Sequence, residues 1–353
     1  MNPSEPRGLF IIFVSRPLNL RLYTLVLCVV SSFLFRAQDI HFSQFDASLL
    51  NLSPAFTGVF KGDYRLSSVY RSQWQSVPVS YSTFNLNGET RLKPRSILRD
   101  AIGVGFIFNN DRAGDANYGT TQFYFTGSYI WMVKKDSSLM ISLGTSLGWC
   151  QVGFNYSKMT FDTQFDGVRF NNGLVSGEQF ARTQTTFFDF NNGAALFWQI
   201  NPRHRMQYGF GIYHVRGPVT TFQGDLKKLD YRMCHYLSCT TPMTEHTDLV
   251  AELMYTQQGK YLEMIPHLSL KRFLDKATGQ AVLAGVCWRT RDAAILRMGY
   301  HQGPLQSGIA YDINISKFTA ATNRRGAFEI YLNYVFKNKP TFIAKNRYCP
   351  TFL

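Results

Sequence analysis

Past residue 36 the sequence has no apolar run long enough to cross a bilayer as a helix; the stretches there are a handful of residues, broken by Asn, Thr, Ser or Gly. A membrane helix needs about 20 consecutive apolar residues, and a mean hydropathy of −0.14 is too polar for a bundle of them. Cysteine is scarce as well. Cys28, Cys150, Cys234, Cys239, Cys287 and Cys349 are irregularly spaced, which excludes a disulfide framework or a zinc site. Cys234 and Cys239 are the pair that could bridge in an oxidising periplasm. None of the histidines (His41, His204, His214, His235, His246, His267, His301) has a partner four residues away with a nearby Glu, so the helical zinc pattern is missing. No phosphate-cradling loop is present. Gly144-Thr145-Ser146-Leu147-Gly148 matches the G-x-S-x-G nucleophile elbow, but that motif needs a strand followed at once by a helix. Here it lies inside an alternating strand. The expectation is a non-catalytic protein without cofactor or resident metal.

What the sequence does hold is aromatic residues and glycine, 30 Phe, 19 Tyr and 27 Gly. A membrane barrel with aromatic girdles and a polar lumen predicts this mixture. The amino terminus points to export. Arg7, Arg16 and Arg21 precede an apolar stretch from Leu22 to Phe35 that ends at Ala37-Gln38, the layout of a secretory signal peptide; cleavage is expected near Ala37. Leu27 is too bulky for Cys28 to mark a lipoprotein signal. Removing residues 1–37 takes away four Arg and one Glu, so the net charge of +14 falls to +11. A basic chain invites a nucleic-acid reading, but export argues against it. The charge is also dispersed in pairs, Lys134-Lys135, Lys227-Lys228, Arg289 with Arg291 and Arg324-Arg325. These pairs are read as solvated turn charges that also meet anionic lipid headgroups.

After the signal the dominant pattern has period two, which in a strand sends successive side chains to opposite faces. Phe328, Ile330, Leu332, Tyr334 and Phe336 share one face; Glu329, Tyr331, Asn333 and Val335 take the other. Ile309, Tyr311 and Ile313 oppose Gly308, Ala310, Asp312 and Asn314, and Ile102, Val104, Phe106 and Phe108 oppose Ala101, Gly103, Gly105 and Asn109. Leu249, Ala251, Leu253 and Tyr255 likewise oppose Asp248, Val250, Glu252 and Met254. In a membrane barrel the apolar face meets lipid and the small or polar face lines the lumen. Strands are read near 62–73, 79–91, 101–109, 121–134, 138–151, 183–200, 204–214, 229–240, 245–257, 260–271, 280–290, 293–301, 305–315 and 326–336. The fold expected is therefore all-β, an antiparallel transmembrane β-barrel of about 14 strands over 62–336, an even number as in bacterial outer-membrane barrels. The region 151–182 could hold further strands.

On this assignment 110–120, 152–182 and 215–228 are the long extracellular loops, opposite short periplasmic turns. Asn109 to Asp115 is rich in oxygen ligands, yet loops of Asn, Asp and Gly are usually turns. Two segments fall outside the barrel pattern. Residues 38–61 are aromatic without alternating and are expected to dock at the periplasmic mouth or inside the lumen. Leaving Phe42, Phe45, Leu49, Leu52 and Phe56 in water would forgo about 1.5–3 kcal/mol for each one buried. Residues 337–353 extend past the last strand as a periplasmic tail.

These segments carry a family resemblance. Gln38-Asp39, His41-Phe42-Ser43-Gln44-Phe45, Leu52-Ser53-Pro54-Ala55-Phe56-Thr57-Gly58 and Tyr70-Arg71-Ser72-Gln73-Trp74 resemble the start of mature PorP/SprF-family proteins of the type IX secretion system. Asn110-Asp111-Arg112-Ala113-Gly114-Asp115, Met254 through Lys260, and Ile309-Ala310-Tyr311-Asp312-Ile313-Asn314 continue it in order. The ending Tyr348-Cys349-Pro350-Thr351-Phe352 is similar to that family's terminal C-P-x-[FY]. Ser53 stands where the family more often has Asn, and Thr351 where Arg is frequent. The resemblance implies an outer-membrane component of the secretion and gliding machinery of Bacteroidota that assists export or surface attachment of adhesin-like cargo with sorting domains. It implies other secretion components as partners, with the motif residues Phe42, Phe45, Pro54, Phe56, Gly58, Arg71, Trp74, Asp111, Arg112, Asp115, Tyr311, Asp312, Cys349, Pro350 and Phe352 as candidate contacts. The loops would hold cargo and the tail would touch the machinery. The other reading is a transport barrel for small or hydrophobic solutes. The two differ in whether the lumen is filled, and Asn85, Asn87, Glu89, Asp248, Glu252, Glu329 and Asn333 could either pair with Lys and Arg there or wet a channel.

Overall fold

A computed structural model describes residues 39–337, apart from 76, 78, 79, 95–99, 172, 223, 225, 227 and 318. The expected signal peptide, and the tail beyond Lys337 with Cys349, Pro350 and Phe352, lie outside the described residues.

The described chain forms strands β1 (Tyr64–Gln73), β2 (Tyr81–Leu92), β3 (Ala101–Ala113), β4 (Tyr118–Met132) and β5 (Leu139–Gly153). Then come β6 (Gln184–Gln199), β7 (Arg205–Tyr213), β8 (Arg232–Pro242), β9 (Thr247–Gln258) and β10 (Tyr261–Asp275). The last are β11 (Gln280–Arg289), β12 (Ala293–Gln302), β13 (Leu305–Asn314) and β14 (Arg325–Phe336). Each strand pairs antiparallel with the next, and β1 closes on β14 from Tyr64↔Phe336 to Gln73↔Ala327. Closure leaves no unpaired sheet edge, which is the condition for a sheet to sit in lipid.

Why these residues form a membrane barrel is visible in the burial pattern. Ile309, Tyr311, Phe328, Ile330, Leu332 and Tyr334 all point outward and are exposed. Their neighbours Ala310, Asp312, Glu329, Tyr331 and Asn333 point inward and are buried. A soluble sandwich would show the reverse, with the apolar set inside. Trp131, Trp198, Tyr334 and Phe336 stand outward at the end of the barrel where β1 begins and β14 finishes. Aromatic side chains of this kind mark a lipid–water boundary.

We call that end the terminal end. The fully described connections there are short: 133–138, 200–204, 243–246, 276–279 and 303–304. The opposite, loop end carries the two long connections, 154–183 and 214–231. Three expectations are corrected here. Residues 110–120 are not a long loop, because β3 runs to Ala113 and β4 starts at Tyr118, leaving a tight turn at 114–117. The paired ladder there extends past the point where the apolar face stops alternating. Arg289 is not a solvated turn charge: it is the last residue of β11, faces inward and is buried. Cys234 and Cys239 are both free thiols. Five residues apart on β8, they lie on opposite faces and cannot bridge. Within 154–183 the chain makes two 3₁₀ turns, Tyr156–Lys158 and Asp162–Gln164, and one isolated bridge, Phe165↔Phe170, but none of the named strands.

Candidate functional site

The barrel interior is occupied by the chain's own segment 42–57. Its sequence suits a compact insert rather than a strand. Phe45–Asn51 and Pro54–Phe56 are 3₁₀ turns, the second opened by Ser53, whose hydroxyl accepts from Ala55 N, with Pro54 at the first helical position. Proline there costs nothing because that N–H has no helical partner. Phe42, Phe45, Leu50, Leu52 and Phe56 are all buried, as are Ser43, Gln44, Ser48, Ser53 and Thr57.

The segment is held at three levels. Toward the loop end, the Glu329 carboxylate accepts from Ser43 N (2.6 Å) and Gln44 N (2.8 Å). Arg71 bridges Glu329 and Asp312, Arg289 reaches Asp312 (3.0 Å) and Glu263 (3.1 Å), and the Ser43 hydroxyl bonds Asp312 and both arginines. Arg71 and Glu329 are 2% and 0% exposed by side chain. Burying such charges is tolerable only because each is paired and hydrogen-bonded. Asp312 stands at a register shift between β13 and β14, where Gly326 passes so close that a Cβ would meet Asp312 O at 2.4 Å. Such a bulge re-aims a side chain, here into the ion cluster.

At mid-barrel Arg297 pairs with Asp46 of the inserted segment (2.7 Å) and with Glu252 (3.4 Å), and donates to His267 Nδ1 (2.9 Å). Tyr236 donates to Glu252 (2.8 Å). Phe45 stacks on His267 at 4.1 Å and meets Tyr236 edge-on. Asp46, Glu252 and His267 are close enough together to suggest a metal site, but the Arg297 guanidinium lies among them and supplies the positive charge itself. On the facing wall an amide ladder binds the segment: Ser48 to Asn85 and Asn87, and Asn51 to Asn109, which in turn donates to Gln122.

The third level seats the Pro54 turn. Ser53 Oγ donates to Phe210 O (2.7 Å), Thr57 Oγ1 bonds Thr126 Oγ1, Ser128 donates to Thr57 O, and Gly58 N donates to Glu89 (2.7 Å). Lumen-facing glycines make the room. A Cβ on Gly144 would lie 2.4 Å from Pro54, and one on Gly209 2.4 Å from the Phe56 ring. Gly144 therefore belongs to the seat of Pro54 and not to a nucleophile elbow. Ser146, two residues on, is buried and accepts from Asn191 (3.1 Å).

Of the residues singled out in sequence, Phe42, Phe45, Pro54, Phe56, Gly58, Arg71 and Asp312 come together in this interior. Trp74 lies at the loop end, its backbone N–H on Gly326 O and its ring edge-on to Tyr81. Asp111 and Arg112 are at the loop-end tip of β3, where Thr83 donates to Asp111, and Asp115 is in the 114–117 turn. Tyr311 points outward to the lipid face. Sequence reasoning missed Ser43, Asp46, Tyr236, His267, Arg289 and Arg297. The available signal for the arginines was a lone charge at an inward strand position.

Comparison with known proteins places the chain. Solved structures of similar shape include a Pseudomonas aeruginosa FadL homologue (10% identity, TM-score 0.45, covering 80% of this chain and 93% of that one). The Pseudomonas putida toluene transporter TodX is another (8% identity, TM-score 0.47, 81% and 93% covered). At these values neither says anything about what this barrel carries. No curated protein matches the sequence. Residues 34–334 match the family described as type IX secretion system membrane protein PorP/SprF. The chain is thus a member of the PorP/SprF family of type IX secretion system membrane proteins, built as a closed 14-strand antiparallel barrel.

Proposed function

We propose that this barrel is a non-catalytic accessory of the type IX secretion machinery in the outer membrane, a binding platform that helps export adhesin-like cargo or hold it at the cell surface. The observation that carries this reading is the filled lumen. A conduit needs a path for solute, whereas here residues 42–57 are hydrogen-bonded or ion-paired to strands on every side of the wall. Breaking one buried pair costs about 3–5 kcal/mol, so an insert held by several is a permanent part of the barrel.

A second observation supports a partner at the loop end. Val168, Val175 and Leu226, in the two long connections, are 89%, 86% and 85% exposed. Exposed aliphatic side chains in long loops are available for a protein contact, and barrel loops of unequal length put recognition on the longer side. The tail beyond Lys337, with Lys339, Lys345 and Arg347, suits an acidic surface of the machinery. The test replaces 160–180 by a flexible linker in cells. Normal barrel abundance with lost adhesin display supports the platform. Intact display with altered solute uptake on deleting the gene would replace it by a transport role.

A further inference from the structure

Below the inserted segment, at the terminal end, the lumen opens into a vestibule of about 950 Å³. Its walls are strongly basic. Eight Lys and Arg side chains line it against three carboxylates, Asp46, Asp136 and Glu252. Two of the arginines are already paired, Arg65 with Glu89 and Arg297 with Asp46 and Glu252. Lys61, Arg91, Lys93, Arg205, Lys271 and Lys337 remain, and among the described residues none of them makes a salt bridge. Arg205 reaches only the Thr240 hydroxyl, and Lys271 lies over the Phe273 ring. His301, on the same wall, has a buried Nδ1 without a hydrogen-bond partner.

Like charges gathered in one vestibule repel one another, and the partly buried Arg91 and Lys271 lose hydration as well. An anion entering the vestibule would relieve both costs. The arrangement of the cations says what kind. Arg91 and Lys93 belong to β2 and the turn after it, while Arg205 and Lys271 are on β7 and β10. In a closed ring of 14 strands these stand on opposite walls. A single phosphate or carboxylate cannot touch both, whereas an extended polyanion can. Between the cations the lining mixes apolar Leu49, Met140, Phe197 and Val335 with polar Gln207, Ser238, Thr240 and Asn333, a mixture that suits the side chains and backbone of a peptide rather than a bare polyphosphate. The chain's own tail is excluded as occupant by its sign, since it carries Lys339, Lys345 and Arg347.

We propose that the terminal-end vestibule receives an acidic polypeptide segment of a partner protein, its carboxylates shared between the β2 wall and the β7–β10 wall. The inserted segment forms the floor on which that peptide ends. The assignment concerns the opposite mouth from the cargo loops and stands whether or not the platform reading holds.

The experiment uses the full detergent-purified barrel and a fluorescein-labelled oligoglutamate peptide, with an oligoglutamine peptide as the neutral control. Fluorescence anisotropy should show saturable, salt-sensitive binding of the acidic peptide alone. Two double variants, Arg205→Gln with Lys271→Gln and Arg91→Gln with Lys93→Gln, should each raise the Kd about five- to tenfold, as the loss of two charge pairs, one at an exposed and one at a partly buried cation, predicts. Lys158→Gln with Arg169→Gln at the loop end should leave it unchanged. Heat-modifiable migration on gels verifies that each barrel is folded, and the two walls provide independent variants. Unchanged Kd in both wall variants, or an equal loss in the loop-end variant, would overturn the proposal. So would inorganic phosphate competing fully at matched ionic strength with only one wall contributing, because that describes a single-anion pocket.

Discussion

Replacing Glu329 with glutamine attacks the insert at the point where its chain first meets the wall. The carboxylate accepts from Ser43 N, Gln44 N and Arg71. An amide keeps one acceptor oxygen and turns an NH₂ toward a group that can only donate, so at least one of three bonds becomes a donor facing a donor. Hydrogen bonds to charged groups contribute about 1.5–3 kcal/mol each, and removing one member of a buried pair costs about 3–5 kcal/mol. Arg71 keeps Asp312 as a partner, which places the loss at the low end, about 3 kcal/mol for docking of the segment. Every 1.4 kcal/mol is tenfold in population, so the undocked fraction should rise on the order of 100-fold. Proteolysis that samples the open form tracks that population when opening is fast. Limited digestion of the folded, detergent-solubilised variant should therefore cut within 40–58 about 100-fold faster than in the parent, with the barrel core intact. Cleavage at the parent rate would refute the claim that Glu329 anchors the insert.

The remaining predictions test other parts of the fold. Gly209→Leu should drive the Phe56 ring from its seat and expose 52–57 to the same protease, whereas Gly224→Leu, which meets nothing within 4 Å, should not. Leu332→Arg, on the outward face, should cost about 2–4 kcal/mol if it lies near the bilayer midplane; an unchanged folding yield in lipid vesicles would contradict the lipid-facing assignment. Cys234 and Cys239 should both alkylate in denaturant without reductant, and a protected pair seen by mass would contradict the two-face placement. Arg297→Met should release Asp46 and leave Glu252 without its guanidinium, and a thermal midpoint equal to the parent's would count against an anchoring role at mid-barrel.

The strands were legible because their two faces differ so sharply. Ile330 and Leu332 beside Glu329 and Asn333 admit one register only, since a slip of one residue would put the carboxylate in lipid. Strand ends were less legible where the ladder continues through polar sequence, as at Asn110–Ala113 of β3. The insert could be suspected from Phe42, Phe45 and Phe56, too apolar to leave in water, but its anchors could not. Ser43 and Glu329 are 286 residues apart, and Arg297 and Asp46 are 251 apart; nothing local in the chain names such partners. Gly209-Phe210-Gly211 did hold a signal, two glycines on one face of a strand, which is how a sheet lets another backbone approach closely. Arg289 was misread because a charge near Arg291 looks like a turn until β11 is seen to end on it.

The filled lumen is the central claim, and single-channel recording in planar bilayers tests it most directly. The intact barrel should show no steady conductance, and a barrel lacking 40–57 but still folded should open a persistent channel. A stable, porin-like conductance from the intact protein, unchanged by removing that segment, would contradict the claim.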